Sequence, residues 1–329
     1  RDNKYYFSCC IISSNFYIKE KNVMSKRNKY KMKIDSYLCI DIGGTNIKYA
    51  TLNQAGNIIR NNKVKSIHNK IEFLHQIDEI VSKFAGVKGI AFCAPGKVKD
   101  ATIYFGGSLP FLDGVNFCER YRELKIPISI INDGKASVLA ENWLGNLKGL
   151  DNCAAITLGT GLGGGIIVNG RLLSGVHAQA GELSFMKLTD QKDEDKIAGL
   201  DYSAVQMIKN INKNTDNDSE DGIEAFKLIN TKDQAALEIF KKFCYGIATI
   251  ILNIQTVVDL ERYAIGGGIS AQPILIKEIK KAYKELVNEN PLIDKMLTQP
   301  EIVSAKFKNN ANLFGALYNL LLTENHETL

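Results

Sequence analysis

The chain has 329 residues, of which 45% are hydrophobic and 23% are charged. This length predicts two domains or one large two-lobed unit, and the composition excludes disorder as the main state. The net charge of +5 is uneven, because residues 1–35 hold nine Lys/Arg against three Asp/Glu and the remainder is close to neutral. The body therefore has no basic field of the kind that binds nucleic acid or an anionic membrane.

The N-terminal segment, residues 1–35, is interpreted as a basic tail that is either disordered or upstream of the true start. It begins with Arg1, and Met24 and Met32 both precede the first predicted strand. Its apolar stretch Tyr5–Ile12 is too short to span a membrane and lacks a small-residue cleavage pattern, so no signal peptide is predicted. Seven scattered cysteines favour reduced thiols, and hence a cytoplasmic protein, over a disulfide framework.

Apolar runs and turn signals divide the first half of the chain into short elements. We predict, in chain order, a strand, a glycine turn and a strand over 37–50, a third strand over 57–64, a helix over 70–85, strands over 87–93 and 127–131, and a helix over 136–144. One face of the first helix is predicted to be apolar and buried, and it contains Ile71, Leu74, Ile77, Ile80, Val81 and Phe84.

The second half of the chain opens in the same way as the first. We predict, in chain order, a strand over 153–158, a glycine turn over 159–165, strands over 166–168 and 171–173, loops and short helices over 181–224, a long helix over 233–258, a strand over 262–265, and helices near 273–288 and 311–323. Asn169-Gly170 is a strong hairpin signal between two of these strands. Since each half begins with a strand, a glycine turn and a strand, we predict an internal duplication of the fold.

The first glycine turn has the sequence Asp41-Ile-Gly-Gly-Thr45 and lies between two predicted strands. Because Gly43 and Gly44 have no Cβ atoms, their backbone N–H groups can approach an anion, and Thr45 adds a hydroxyl donor. Asp41 can hold a magnesium ion through water. An ordinary hairpin turn with a hydrogen-bonded aspartate is the alternative interpretation.

The second glycine turn, Gly159–Gly165, matches the G-x-G-x-x-G pattern of dinucleotide-binding folds. That pattern requires a following helix, whereas a hairpin is predicted here, so a Rossmann fold is excluded. Two hairpin loops that face each other can instead clamp the phosphates of a nucleotide, and a purely backbone role is the alternative. A third cluster, Gly266–Gly268, leaves room for a flat group such as adenosine, although packed turns also contain such triplets.

The pair Asn132-Asp133 follows a predicted strand and precedes a predicted helix. A carboxylate at this position can accept the proton of a sugar hydroxyl that attacks the γ-phosphorus of ATP. Asn132 can hydrogen-bond a neighbouring hydroxyl and fix the direction of attack. In isolation, such a pair is more often a helix cap, in which Asp133 binds only backbone amides.

Taken together, these segments resemble the ROK family of sugar kinases, which shares a fold group with actin, hexokinase and the heat-shock ATPases. The resemblance extends from about Tyr37 to the C-terminal helix. It rests on these motifs, in this order: Asp41-Ile-Gly-Gly-Thr45, Ala94-Pro-Gly96, Asn132-Asp133 with Glu141, Leu158–Gly165, Ala180-Gly-Glu182 and Ile265–Ser270. The combination is specific, and it favours catalysis over capping for Asp133.

The resemblance implies an α/β protein with the two-lobed, actin-like ATPase (ribonuclease H-like) fold, an internal duplication and a cleft between the lobes. It divides the chain after residue 35 into a small lobe (36–134), a large lobe (135–310) and a C-terminal helix (311–329) that packs back towards the small lobe. ATP and Mg²⁺ are the implied cofactors, and a sugar is the implied substrate. The family resemblance also allows a homodimer.

The same resemblance assigns roles to residues of this sequence. Asp133 is implied as the general base. Sugar contacts are implied for Asn132, Glu182, Gly96 and Ser108. Contacts to ATP or Mg²⁺ are implied for Asp41, Gly43, Gly44, Thr45, Thr160, Gly161, Gly266, Gly267 and Gly268.

Three departures from the family pattern bear on the substrate. The segment after Ala180-Gly-Glu182 reads Leu183–Met186, and the Cys-rich zinc loop of many members is missing, so no zinc is expected. Lys135 and Ser108 stand where Asn is common in the family. His177 has no cysteine partners nearby and is interpreted as a loop residue.

Zinc-less members of the family resemble β-glucoside kinases and glucokinases, so we expect phosphorylation of the 6-hydroxyl of glucose, a β-glucoside or a related hexose. A kinase for N-acetylmannosamine or fructose is one alternative. A non-catalytic, sugar-sensing regulator is another, but the 36 residues before the first predicted strand show no helix-turn-helix pattern. A nucleotide-binding scaffold without sugar activity is disfavoured by Ala180-Gly-Glu182. The expected partners are therefore a sugar and ATP, with no nucleic acid and no membrane.

Overall fold

The computed structural model describes residues 35–188, 197–213, 215 and 218–325. The basic tail predicted over 1–35, apart from Asp35, and part of the loop that follows Glu182 lie outside these ranges. Within them, no helix combines the length and the apolar character that crossing a membrane requires.

The first sheet has its opening strand in the middle. Its strands are β1 (Ser36–Ile42), β2 (Asn46–Asn53), β3 (Ile58–Lys65), β4 (Ile90–Ala94) and, after a separate hairpin of β5 (Lys97–Lys99) and β6 (Thr102–Tyr104), β7 (Ile128–Asn132). Their order is β3-β2-β1-β4-β7; β1, β2 and β3 are antiparallel, and β1, β4 and β7 are parallel. Asp41 pairs with Cys93, and Ala94 pairs with Asn132, so the carboxyl ends of three parallel strands meet at one edge.

The second sheet repeats this arrangement. Its strands are β8 (Cys153–Leu158), β9 (Leu162–Val168), β10 (Arg171–Leu172), β11 (Arg262–Gly267) and β12 (Glu301–Ser304). Their order is β10-β9-β8-β11-β12, with an antiparallel opening hairpin and parallel β8, β11 and β12. The two sheets share strand order and direction, which confirms the predicted duplication and the two-lobed α/β fold.

Short and long helices connect and cover the strands. They are α1 (Lys70–Ser82), α2 (Phe117–Arg120), α3 (Asp133–Leu144), α4 (Ala198–Asp201), α5 (Ala204–Asn212), α6 (Gly222–Asn230), α7 (Gln234–Val258), α8 (Pro273–Asn288), α9 (Pro291–Met296) and α10 (Ala311–Glu324). The starts of α1, α3 and α7 follow from local sequence, because the side chains of Asn69, Asn132 and Asp233 accept backbone N–H groups of the first turn.

Helices α3 and α10 connect the two sheets. One hydrophobic core contains Leu139 of α3 and Leu317 of α10 together with Cys39 of the first sheet and Ala155 of the second. Helix α10 also contacts β1, β4 and β7. The lobe boundaries at 134/135 and 310/311 stay predictions.

The predicted apolar face of α1 is wrong at its first residue. Ile71 is 80% exposed, whereas Phe73, Ile77, Ile80 and Val81 are buried. Residues two positions apart in a helix are separated by about 200° around its axis, so Ile71 and Phe73 cannot share a face.

The predicted turn 159–165 is too long, because β9 already begins at Leu162. A Cβ atom at Gly165 would lie 2.5 Å from the carbonyl oxygen of Gly134 and from Val138 Cγ1. Glycine is therefore required in this strand so that α3 can pack closely on it.

Candidate active site

Asn132 and Asp133 lie where β7 ends and α3 begins. Asn132, and not Asp133, caps the helix, because its Oδ1 accepts the backbone N–H of Lys135 at 3.1 Å. Its Nδ2 donates to the Gly96 carbonyl at 2.9 Å and to Asp133 Oδ1 at 3.0 Å. The N–H of Gly134 also donates to Asp133 Oδ1, at 2.8 Å. Asp133 Oδ1 is thus anchored, while Oδ2 receives no hydrogen bond from the part of the chain that the structure describes.

The surroundings of Asp133 favour its protonated form. Burial raises the pKa of Asp133 to about 6, the Gly134 amide opposes this shift, and the charges of Asp41 and Glu182 add to it. The carboxylates of Asp41 on β1 and of Glu182 after β10 therefore both act on Asp133 at the start of α3. A carboxylate with a pKa near neutrality suits general base catalysis.

Asp41 lies near the carboxyl end of β1 and is 6% exposed. Its Oδ1 accepts a hydrogen bond from Asn312 Nδ2 at 3.0 Å, and its Oδ2 lies 3.6 Å from Lys48 Nζ. Burial raises the pKa of Asp41, and Lys48 and Asn312 oppose that shift. Burial and the charges of Asp41 and Asp133 raise the pKa of the Cys93 thiol well above its ordinary value, so this thiol is neutral between the two aspartates.

A cavity of about 200 Å³ opens beside Asp41. It is lined by Lys48, Ser137, Glu141, Ala155, Thr157, Leu158, Gly159, Gly266, Gly267, Gly268, Ala305, Lys308, Asn309, Ala311 and Asn312. Lys48 is one-third exposed and donates to the Asn309 carbonyl at 2.8 Å. Ammonium groups beside glycine backbone suit a ligand that carries phosphates. Lys48, Lys308 and Asn312 were not predicted as site residues.

The first glycine turn packs against the segment that holds Ser108. The Gly43 N–H donates to the Asn46 carbonyl at 3.1 Å and closes the turn. A Cβ atom at Gly44 would lie 2.7 Å from Ser108 Oγ, and Thr45 is exposed. The structure therefore brings Gly44 and Ser108 together, while Gly43, Gly44 and Thr45 do not line the cavity.

The second glycine turn reaches the cavity through Gly159. The Gly159 N–H donates to the Gly161 carbonyl at 3.1 Å. Thr160 is exposed, and a Cβ atom at Gly161 would lie 2.9 Å from Ser184 Oγ. Thr160 and Gly161 thus lie next to the cavity lining in sequence but do not contribute to it.

The third glycine cluster, Gly266–Gly268, lines the cavity at the end of β11. Gly267 has a φ of 95°, and a Cβ atom there would collide with the carbonyl of Leu158 on the neighbouring strand. Glycine is therefore required at this position. Because Gly266–Gly268 have no side chains, they leave the space beside them in the cavity free.

Glu182 lies in the segment after β10, close enough to Asp133 to raise its pKa. Burial raises the pKa of Glu182, and the Lys135 ammonium group lowers it. Lys135 is 5% exposed and donates to the Ala178 carbonyl at 3.0 Å. His177 is exposed in the same segment.

Glu141 holds the other end of α3. It is buried, its Oε1 accepts the Phe307 N–H at 3.0 Å, and its Oε2 accepts the Asn146 N–H at 2.8 Å. Both carboxylate oxygens are therefore engaged with backbone amides, which indicates a structural role for this part of the motif.

The described residues contain no group of three or more His, Cys, Asp or Glu that could hold a metal ion. Mg²⁺ bound with a nucleotide does not need such a group, because it keeps several waters and takes one or two carboxylates besides the phosphates. The buried carboxylate of Asp41, which contacts the lining residues Lys48 and Asn312, fits this requirement, whereas both oxygens of the buried Glu141 in the lining are engaged by backbone amides. That the protein binds no zinc stays a prediction.

Two sheets of equal strand order, two helices packed against both of them and a glycine-lined cavity define an α/β protein of the actin-like ATPase fold. The ROK family model matches residues 37–323, so the chain belongs to the ROK family.

Relatives in this family match nearly the whole chain. A β-glucoside kinase of Listeria monocytogenes is 30% identical over 312 residues, which cover 90% of this chain and 100% of the relative. A ROK family protein of Streptococcus pneumoniae, solved with sucrose, has a TM-score of 0.78 at 28% identity. The match covers 88% of this chain and 99% of that protein. A ROK glucokinase of Streptomyces griseus, solved with glucose and AMPPNP, has a TM-score of 0.74 at 21% identity. The match covers 86% of this chain and 98% of that protein, and it supports the fold. The predicted family and its enzyme class, sugar kinase, are confirmed.

Proposed function

We propose that the protein catalyses ATP-dependent phosphorylation of a hexose at its 6-hydroxyl, with Asp133 as the general base. The observation that carries this proposal is the state of the Asp133 carboxylate, in which two donors anchor Oδ1 and the pKa is raised to about 6. Such a carboxylate is ionised at neutral pH and still basic enough to accept a proton as the reaction proceeds. Its anchored oxygen fixes the position of Oδ2, which is the oxygen proposed to meet the sugar.

In the proposed reaction, the sugar oxygen forms a bond to the γ-phosphorus while the hydroxyl proton passes to Asp133 Oδ2. The bond from the γ-phosphorus to the β–γ bridging oxygen breaks, and ADP leaves with the electron pair. Asn132 takes no proton; its Nδ2 holds the Asp133 carboxylate and the Gly96 carbonyl in a fixed relation.

The ATP phosphates are proposed to lie in the cavity beside Asp41. Lys48 is the proposed phosphate contact from β2, because its ammonium group lines the cavity 3.6 Å from Asp41 Oδ2. Gly266–Gly268 leave room for adenosine. The turns at Gly43–Thr45 and Thr160–Gly161 lie outside the cavity lining and are proposed to approach the phosphates of a bound nucleotide. Asp41 would hold Mg²⁺, which neutralises part of the phosphate charge when it is bound.

The sugar is proposed to contact Asn132, Glu182, Gly96 and Ser108. Glu182 is half-buried and acts electrostatically on Asp133, as expected of a carboxylate that shares the sugar site with the base. Glucose or a β-glucoside is the proposed substrate, because the β-glucoside kinase of Listeria monocytogenes aligns over its full length.

A coupled assay of ADP release over glucose, cellobiose, an aryl β-glucoside, N-acetylmannosamine and fructose tests the activity and the substrate together. We expect the highest kcat/KM for glucose or a β-glucoside. Turnover of N-acetylmannosamine or fructose alone would replace the proposed sugar. An ADP release that no sugar increases would reject the kinase.

The variant Asp133→Asn tests the base. We expect kcat to fall about a hundredfold or more, since the amide cannot accept the proton. Calorimetry should show sugar binding within about threefold of the wild type, because the Asn132 and Glu182 contacts remain. Asp294→Asn, in the exposed part of α9, is the matched control and should leave kcat unchanged. An unchanged kcat in Asp133→Asn would falsify the base assignment.

A further inference from the structure

Lys135 is a buried cation within one turn of the proposed base. It is the third residue of α3, two positions after Asp133, and it is 5% exposed. Burying an ammonium group is costly unless it is paired and hydrogen-bonded, so the contacts of this side chain explain why it is tolerated.

Lys135 forms a hydrogen bond, called the tether below, to the segment that follows β10. Its Nζ donates to the Ala178 carbonyl at 3.0 Å. Ala178 is buried and adopts a left-handed conformation with a φ of 56°, while residues 173–177 before it are exposed. The tether therefore fixes the segment that leads from β10 to Glu182 against the helix that carries Asp133.

Lys135 also lies close enough to Glu182 for their charges to act on each other. Burial lowers the pKa of Lys135, and the charge of Glu182 opposes that shift. Burial raises the pKa of Glu182, and Lys135 opposes that shift in turn. The charged groups that act here are Lys135 and Asp133 on α3 and Glu182 on the segment after β10, while Asp41 on β1 acts on Asp133.

We propose that Lys135 is a positioning residue of the sugar site: its ammonium group ties the 173–182 segment to α3 and balances the charge of Glu182. This inference rests on the proposed function, in which Glu182 binds the sugar. An ionised Glu182 accepts hydrogen bonds from sugar hydroxyls, and the tether holds its backbone at a fixed distance from Asp133. Lys135 thereby acts on sugar affinity and on its pH dependence, and touches neither ATP nor the reacting atoms.

Three substitutions separate the tether from the charge. Lys135→Met removes both, Lys135→Gln keeps a hydrogen-bond donor for Ala178 but removes the charge, and Lys135→Arg keeps both. Lys227→Met, whose ammonium group forms an exposed pair with Glu224 at 3.0 Å, is the matched control. Each protein is assayed for the KM of the sugar, the KM of ATP and kcat from pH 5.5 to 8.5, and its unfolding midpoint is recorded.

We expect Lys135→Met to raise the KM of the sugar about tenfold with kcat within about threefold and an unchanged KM of ATP. The acidic limb of kcat/KM for the sugar should move towards higher pH, because the carboxyl group of Glu182 loses the cation that favours its ionised form. Lys135→Gln should show the same pH shift, and Lys135→Arg should restore most of the sugar affinity. If Lys135→Met does not fold, Lys135→Gln carries the comparison.

A double-variant cycle with Glu182→Gln provides a second readout. If Lys135 acts through Glu182, adding Lys135→Gln to Glu182→Gln should change the KM of the sugar very little. Additive effects, or a pH profile of Lys135→Gln that superimposes on that of the wild type, would overturn the inference. A wild-type protein without sugar-dependent turnover would instead reject the proposed function, so the two failures are distinguishable.

Discussion

Asn312 Nδ2 lies 3.0 Å from Asp41 Oδ1, in a hydrogen bond between residues 271 positions apart. Asn312 is the second residue of α10, so its amide joins the C-terminal helix to the end of β1. Lys48 lies on the other side of the same carboxylate, 3.6 Å from Oδ2. The carboxylate proposed to hold Mg²⁺ is therefore oriented by two groups that are remote from each other in sequence.

Removal of the Asn312 amide is predicted to weaken nucleotide binding. In Asn312→Ala, the buried Asp41 carboxylate loses a donor to its ionised form, and we expect the KM of ATP to rise about fivefold. Steady-state kinetics at saturating Mg²⁺ measure this, and the KM of the sugar should change little. Asn288→Ala, at the exposed end of α8, serves as the control. A KM of ATP equal to that of the wild type would contradict the role given to Asn312.

The raised pKa of Asp133 predicts that its replacement stabilises the protein at high pH. Between its ordinary value of 3.8 and the folded value of about 6, the folded protein binds more protons than the unfolded chain, so stability falls as pH rises. Asp133→Asn removes the buried charge, and its unfolding midpoint at pH 8 should exceed that of the wild type by about 3 °C. At pH 4 the gain should vanish, because Asp133 is then protonated in the folded protein. Calorimetry that finds the same gain at both pH values would contradict this prediction.

The close packing of α3 on β9 predicts that a side chain at Gly165 lowers the stability of the protein. A Cβ atom there meets Gly134 O and Val138 Cγ1 at 2.5 Å, so Gly165→Ala should lower the free energy of unfolding by about 1–3 kcal/mol. Gly163→Ala in the same strand is the control, because its nearest contact would be 3.4 Å from Thr157 Cβ. Denaturant titration measures both variants, and equal losses would show that the contact with α3 is not the cause.

Phe105 is predicted to be a site of conformational strain. It has a φ of 51°, and its residue surface is 65% exposed, so little apolar burial offsets the left-handed backbone. Phe105→Gly should raise the free energy of unfolding by about 0.5–1 kcal/mol. Phe185→Gly, at a residue of similar exposure with negative φ, should lower it. Denaturant titration checks both signs, and destabilisation in both variants would exclude strain at Phe105.

Sequence alone could predict the parts of the site whose chemistry is local. Asn132 and Asp133 are recognisable in the sequence as a polar pair between a predicted strand and a predicted helix. The structure places them at that junction. Lys48 and Asn312 could not be identified in this way, because their importance comes from contacts with Asp41 that only the folded chain creates. A cation in the strand after the first glycine turn is a sequence signal by which Lys48 could have been found.

Glycine is ambiguous in sequence, because it serves both anion binding and close packing. The run Gly159–Gly165 was predicted as one turn, yet Gly163 to Gly165 lie in β9, where α3 approaches the strand. The strand β12 was missed for another reason: Glu301–Ser304 is short and only Ile302 in it is buried, so no alternating pattern forms.

The two hydrogen bonds of Glu141 restrict how the protein can change shape. Because its carboxylate grips the Phe307 and Asn146 amides, α3 cannot slide or turn about its axis without breaking charge-assisted hydrogen bonds. A slide or rotation of α3 would therefore have to carry the stretch around Phe307 with it. Since the same helix begins at Asp133, the hydrogen bonds of Glu141 also limit how far the proposed base can shift relative to the stretch around Phe307.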